Sequence, residues 1–227
     1  MGERVKAKRR YDSPRRREQA AATRREILGA AERLFEQNGF AATTMAAIAD
    51  EAGVALKTVY IAFATKSGVL RALWHTLLRG DEDDVPVAGR RWYREVLEEP
   101  DPERRLRLNA RNSRTVKERA GALMDVIRSA AASEPDIGVL WTRIQADFYE
   151  NQRAIVKTLH SEKALRPGLG LERAADILWT LNHPDVWQLL VGERGWTPDE
   201  YERWFGDTVC SQLLPESPRS KRSIRSS

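Results

Sequence analysis

Gly39 and Gly53 set the lengths of the helices around them, because each can turn the chain at little steric cost and each closes a run of helically spaced apolar residues. Upstream of the first lies "TRREILGAAERLFEQNGF". Thr23 followed three residues later by Glu26 has the form of a capping box, and Ile27, Ala31, Leu34 and Phe35 recur at helical spacing. Gly39 then supplies a left-handed terminus, with Phe40 placed to fold back on the last turn. Between the glycines only a short helix fits, "TTMAAIADEAG", with Thr43 placed to cap it and a narrow stripe of Ile48, Ala49 and Ala52. Its small residues let a neighbouring helix cross closely. After a turn of about three residues comes "LKTVYIAF", where Val59 and Phe63 stand one turn apart and can lock the segment inward. Thr65 is placed to cap a fourth helix over 66–79.

Short helices joined by a Gly turn predict a helix-turn-helix, which offers the second helix of the pair to the DNA major groove. That use explains an otherwise costly face. Leu56, Lys57, Thr58, Tyr60 and Ile61 mix apolar, hydroxyl and ammonium groups on the side away from Val59 and Phe63. Lys57 can donate to guanine acceptors, Thr58 can serve a base or a phosphate, and Leu56 or Ile61 can touch thymine methyls. The face holds no Arg, Asn or Gln, so apolar contacts, water and DNA shape are expected to supply much of the specificity. Lys66 opens the fourth helix where the macrodipole disfavours a cation, and Gly68 stands where an acid would compensate. A backbone phosphate would supply the missing anion.

Composition limits the alternatives. No apolar run is long enough to cross a membrane and no apolar leader opens the chain, so a cytoplasmic protein without a membrane partner is expected. Cys210 is the only cysteine, and the three His, at 75, 160 and 183, have no metal-ligand spacing. No phosphate loop or nucleophile motif appears, so neither an enzyme nor a bound cofactor or metal is expected. The net charge of +5 is uneven: residues 1–25 hold ten Lys or Arg against three acids, whereas residues 81–214 hold nineteen against twenty-four. Residues 1–22 lack hydrophobic periodicity and are read as a disordered basic arm; residues 215–227 are read as a disordered basic tail.

The stretch from Thr23 to Leu70 resembles the N-terminal domain of the TetR family of bacterial transcriptional regulators. The resemblance rests on the Ile-Leu-x-Ala-Ala-x-x-Leu-Phe run, Gly39-Phe40, Thr43-Thr44, Ile48-Ala49, Ala52-Gly53-Val54, Thr58-Val59-Tyr60, Phe63 and Lys66. It implies a DNA-binding domain over 23–80 in which Thr44, Tyr60 and Lys66 meet phosphates and Leu56, Lys57 and Thr58 face bases. With Thr43 and Ile61 these form the expected DNA-binding set. Ala55 stands where a Ser cap is common in the family.

The remainder reads as helix: 91–99, 102–132, 137–160, 172–191 broken near Pro184, and a last helix from Thr197 to 214, so the whole chain is expected to be all-α. The resemblance implies that residues 81–214 bind an effector and dimerise, through a four-helix bundle built from the last two helices of each copy. Leu178, Leu181, Leu189, Tyr201, Trp204, Phe205, Val209 and Leu213 are the expected dimerisation residues. Trp92, Trp141, Phe148, Tyr149, Trp179 and His183 are the expected lining for an apolar or aromatic effector. The function expected is a homodimeric repressor on a pseudo-palindromic operator, released by a small molecule. The rival is an adaptor that keeps the fold without specific DNA binding, a reading the sparse base-reading face keeps open.

Overall fold

The computed structural model describes residues 14–79 and 87–216, and their regular structure is entirely helical. They divide into two compact units, 1–73 and 74–227. The first holds α1 (Pro14–Ala42), α2 (Met45–Glu51), α3 (Leu56–Phe63) and the start of α4 (Lys66–Arg79). Ile27, Ala30, Ala31 and Phe35 of α1, Ile48 of α2, Val59 of α3 and Val69 and Leu70 of α4 are wholly buried and make its core.

Two expectations for α1 change. Residues 14–22, read as part of a disordered arm, are its first turns; the rest of that arm, 1–13, lies outside the described residues, as do 217–227 of the expected tail. Pro14 suits a first helical position, and Arg, Glu, Gln and Ala follow it as strong helix formers, so the helix forms without an apolar stripe. Thr23 and Glu26 consequently sit in the helix interior rather than at its cap. Gly39 does interrupt the helix, at φ 73 and ψ 174, and Phe40 returns to stack on Phe35 with centroids 5.7 Å apart.

The second unit contains α5 (Arg91–Glu98), α6 (Pro102–Ala131), α7 (Pro135–Ser161), α8 (Leu171–Leu181), α9 (Pro184–Trp187) and α10 (Pro198–Leu213). Long α6 packs on α7 and α10, and α7 packs on α8. Pro184 breaks the chain as its chemistry requires: Asn182 ends α8, His183 caps α9, and a π-helical turn follows over Gln188–Glu193. Thr197 and Glu200 form a complete capping box on α10, with Pro198 at its first position. Leu106, Ile155, Val156, Leu159, Leu178, Tyr201, Phe205, Val209 and Leu213 make a single core. Within it Arg105 is buried yet compensated, paired with Glu162 at 2.8 Å and donating to Thr158 Oγ1 at 2.9 Å.

Candidate DNA-binding surface

The surface is built from α2, α3 and the turns on either side. Thr44 starts α2, its Oγ1 accepting the Ala47 N–H at 3.0 Å. Gly53, at φ 66, turns the chain toward α3, which begins at Ala55 without a side-chain cap. Val59 and Phe63 are buried, and this pair fixes which side of α3 faces out. On the outer side Ile61 is 76% exposed, Tyr60 49% and Leu56 42%, with Lys57 exposed and Thr58 half-buried beside them. Three large apolar or aromatic side chains at the surface of so short a helix are what a covered surface needs and a solvated one does not.

Beyond α3 the chain turns sharply. Ala64 adopts φ 59 and ψ −45, and the Thr65 N–H donates to the Phe63 carbonyl at 2.7 Å, a strained γ-turn. Thr65 caps α4, its Oγ1 accepting the Gly68 N–H at 3.0 Å. A Cβ on Gly68 would collide with the Phe63 carbonyl oxygen, so only glycine fits there. This corrects the reading of Gly68 as a position vacated by an acid: backbone crowding dictates it.

Two of the expected contact residues are committed elsewhere. Thr43 is only 2% exposed, and its hydroxyl hydrogen-bonds to the Leu34 and Gly39 carbonyls at 3.1 and 2.8 Å. It ties the end of α1 together, and Thr44, not Thr43, caps α2. Lys66 reaches back over the Phe40 ring, 4.2 Å from its centroid, and donates to the Phe40 carbonyl at 2.7 Å. The cation at the start of α4 is thus balanced by carbonyls at the end of α1, so the premise of an unmatched charge fails.

The structure also places residues that the sequence did not single out. Arg24 stacks over the Phe63 ring at 4.1 Å and donates to the Ala62 carbonyl at 2.9 Å, steadying the C-terminal end of α3. Arg16, Gln19 and Thr23 of α1 join Thr58 and Ile61 of α3 along an open groove of about 460 Å³. The extension of α1 back to Pro14 is what brings Arg16 and Gln19 beside the outer face of α3.

In the second unit, four of the six expected effector residues come together. Trp179 and His183 lie 5.0 Å apart, Tyr149 is 6.3 Å from Trp179 and Phe148 is 6.4 Å from His183, between ring centroids. Burial lowers the His183 pKa, and its Nδ1 accepts the Asp185 N–H. Trp92 instead packs edge-on to Tyr93, and Trp141 makes no ring contact among the described residues. The dimerisation set divides more sharply. Leu178, Tyr201, Phe205, Val209 and Leu213 are fully buried within this one chain and cannot meet a second copy. Leu181 and Trp204 are half-buried, and Leu189 is 52% exposed. Among the described residues no helix is long and apolar enough to cross a membrane.

Comparison with known proteins agrees with this geometry. Residues 27–73 match the family described as bacterial regulatory proteins, tetR family. Over 63 residues the chain is 43% identical to the HTH-type transcriptional regulator TtgR of Pseudomonas putida, a match spanning 28% of this chain and 30% of TtgR. The whole fold resembles solved structures at low identity. NalD, the secondary repressor of the MexAB-OprM multidrug efflux pump in Pseudomonas aeruginosa, superposes with a TM-score of 0.68 at 21% identity, covering 86% of this chain and 98% of that one. The regulator FadR of Bacillus subtilis, in complex with stearoyl-CoA, gives 0.66 at 17%, covering 82% and 97%. Residues 27–73, spanning most of α1 to α4, therefore carry the N-terminal domain of the tetR family of bacterial regulatory proteins, and the helical body that follows shares the fold of these solved regulators.

Proposed function

We propose that this protein is a homodimeric transcriptional repressor of the cytoplasm that grips a pseudo-palindromic operator through α3 of each copy and releases it when a small apolar or aromatic effector enters the helical domain. The observation that carries the reading is the outer face of α3, where Leu56, Lys57, Tyr60 and Ile61 stand exposed while Val59 and Phe63 hold the helix from behind. Thr58 and Lys57 supply polar contacts to bases, Ile61 and Leu56 meet thymine methyls, and Tyr60 reaches a phosphate. Thr44, exposed beside them at the start of α2, adds a hydroxyl toward the backbone. Arg16, along the groove, extends the positive footprint.

One short recognition helix reads few base pairs, so two half-sites are needed for a specific site. Leu189, with Leu181 and Trp204, offers the apolar surface for pairing two copies. NalD, named as a repressor, and FadR, caught with an acyl-CoA, support repression and a ligand-responsive helical domain. Effector binding then favours dimers whose two α3 helices no longer match successive major grooves.

The test is binding of the purified protein to its own promoter fragment and to a random duplex, followed across salt concentration. A tighter promoter complex with a steep log-log salt dependence, about 0.9 per phosphate contacted, is expected. No shift of either duplex at low salt overturns the reading and favours an adaptor.

A further inference from the structure

Among the described residues the helical unit buries three cations, Arg90, Arg105 and Lys117, and the fold treats the last two differently. Arg105 has Glu162; Lys117, only 5% exposed on α6, has no carboxylate partner among the described residues. Its ammonium donates to two neutral oxygens, Asn182 Oδ1 and Tyr201 Oη, each at 2.6 Å, and lies 4.8 Å from the Tyr201 ring centroid. Asn182 in turn donates to Ser113 Oγ at 2.9 Å and Gln152 Oε1 at 3.1 Å. Polar side chains from α6, α7, α10 and the end of α8 therefore converge inside an otherwise apolar core. A second unmet demand lies on the same helix, one turn before Asn182: the Trp179 indole N–H is buried and has no acceptor among the described residues.

We infer that this convergence is an effector subsite for an apolar monocarboxylate, with the ligand's carboxylate taking the place of the missing counter-ion at Lys117 and its apolar body lying among the rings of Trp179, His183 and Trp187. The inference rests on the ligand-responsive reading above and gives that ligand a charge. An uncompensated cation in a low-dielectric core is costly, and a hydrogen-bonded carboxylate removes that cost. Burial holds the Lys117 pKa well below its ordinary value, as expected of a cation without an anion. The amides of Asn182 and Gln152 and the Tyr201 hydroxyl can reorient to keep satisfied groups around an entering anion. Entry is placed at the break between α8 and α9, where regular helical bonding stops at Asn182 and resumes at Pro184.

The probe pair is 1-naphthoate and its uncharged amide, 1-naphthamide, titrated calorimetrically into the full-length protein. Naphthoate is expected to bind at least about tenfold more tightly than naphthamide, as a charge-assisted hydrogen bond in a buried site provides. In Lys117→Met the preference for the acid is expected to disappear while folding, followed by circular dichroism, persists. Equal binding of acid and amide by the wild type overturns the subsite, as does an absence of naphthoate binding at millimolar concentration; neither comparison depends on a variant. Retention of the full preference in folded K117M overturns it equally. Promoter binding is read separately: acid-selective binding without any promoter complex leaves the subsite standing and sinks the repressor reading, whereas a promoter complex without acid selectivity does the reverse.

Discussion

Helices α3 and α10 each carry a wide apolar face, yet one keeps it in solvent and the other does not. On α3, Leu56, Tyr60 and Ile61 remain exposed after Val59 and Phe63 have met the core. On α10, Tyr201, Phe205, Val209 and Leu213 are all consumed within the same chain, against α6 and α8. An apolar stripe establishes that a helix will be covered; its partner is decided by how much other surface the chain can bring to it. In the first unit the neighbours of α3 bury only its Val59 and Phe63 side, and in the second α6 and α8 lie against the apolar side of α10.

Substitutions can break this comparison. Truncating Phe205 to Ala should remove roughly 3–5 kcal/mol from the stability of the helical unit, measured by urea denaturation, because its site is a packed core. Were Phe205 an interface residue, the same change would weaken dimerisation in sedimentation and leave unfolding of the protomer alone. Lys66→Met comes next. Loss of the charge-assisted bond to the Phe40 carbonyl should cost about 1.5–3 kcal/mol, with promoter affinity falling in parallel because the frame behind α3 loosens. Affinity loss without any loss of stability would restore a direct phosphate role for that ammonium.

Thr44→Ala should cost about 1 kcal/mol through loss of the α2 cap, seen as a lowered melting temperature. Ile61→Ala should change stability by less than about 0.5 kcal/mol, since nothing among the described residues covers it, while weakening binding to the promoter in fluorescence anisotropy. An Ile61→Ala protein that melts distinctly lower would show that this face is covered after all, and the contrast with α10 would fail.

What the sequence made legible is what local spacing determines. The order of helices, the break at Pro184, the start of the last helix at Thr197 and the outward face of α3 all follow from residues within a few positions of one another. Apart from the start of α1 and Gly68, its failures involve partners that only folding brings near. Thr43 and Thr44 are adjacent hydroxyls, and only folding shows that the first turns back to Leu34 and Gly39. Lys66 finds its carbonyl 26 positions away, Arg24 its own 38 positions away, and Lys117 its oxygens at separations of 65 and 84. Periodicity revealed the apolar side of α10 correctly; it held no information about whether α6 of the same molecule or a second copy would lie against it.

Gly68 leaves one practical consequence. The carbonyl of Phe63 approaches so near that a single methyl group there would have to displace either the end of α3 or the start of α4. An alanine scan of this domain would therefore record a large loss of operator binding at a position with no side chain to touch DNA. That signal would be mechanical, the tilt of the reader being set by an absent carbon atom.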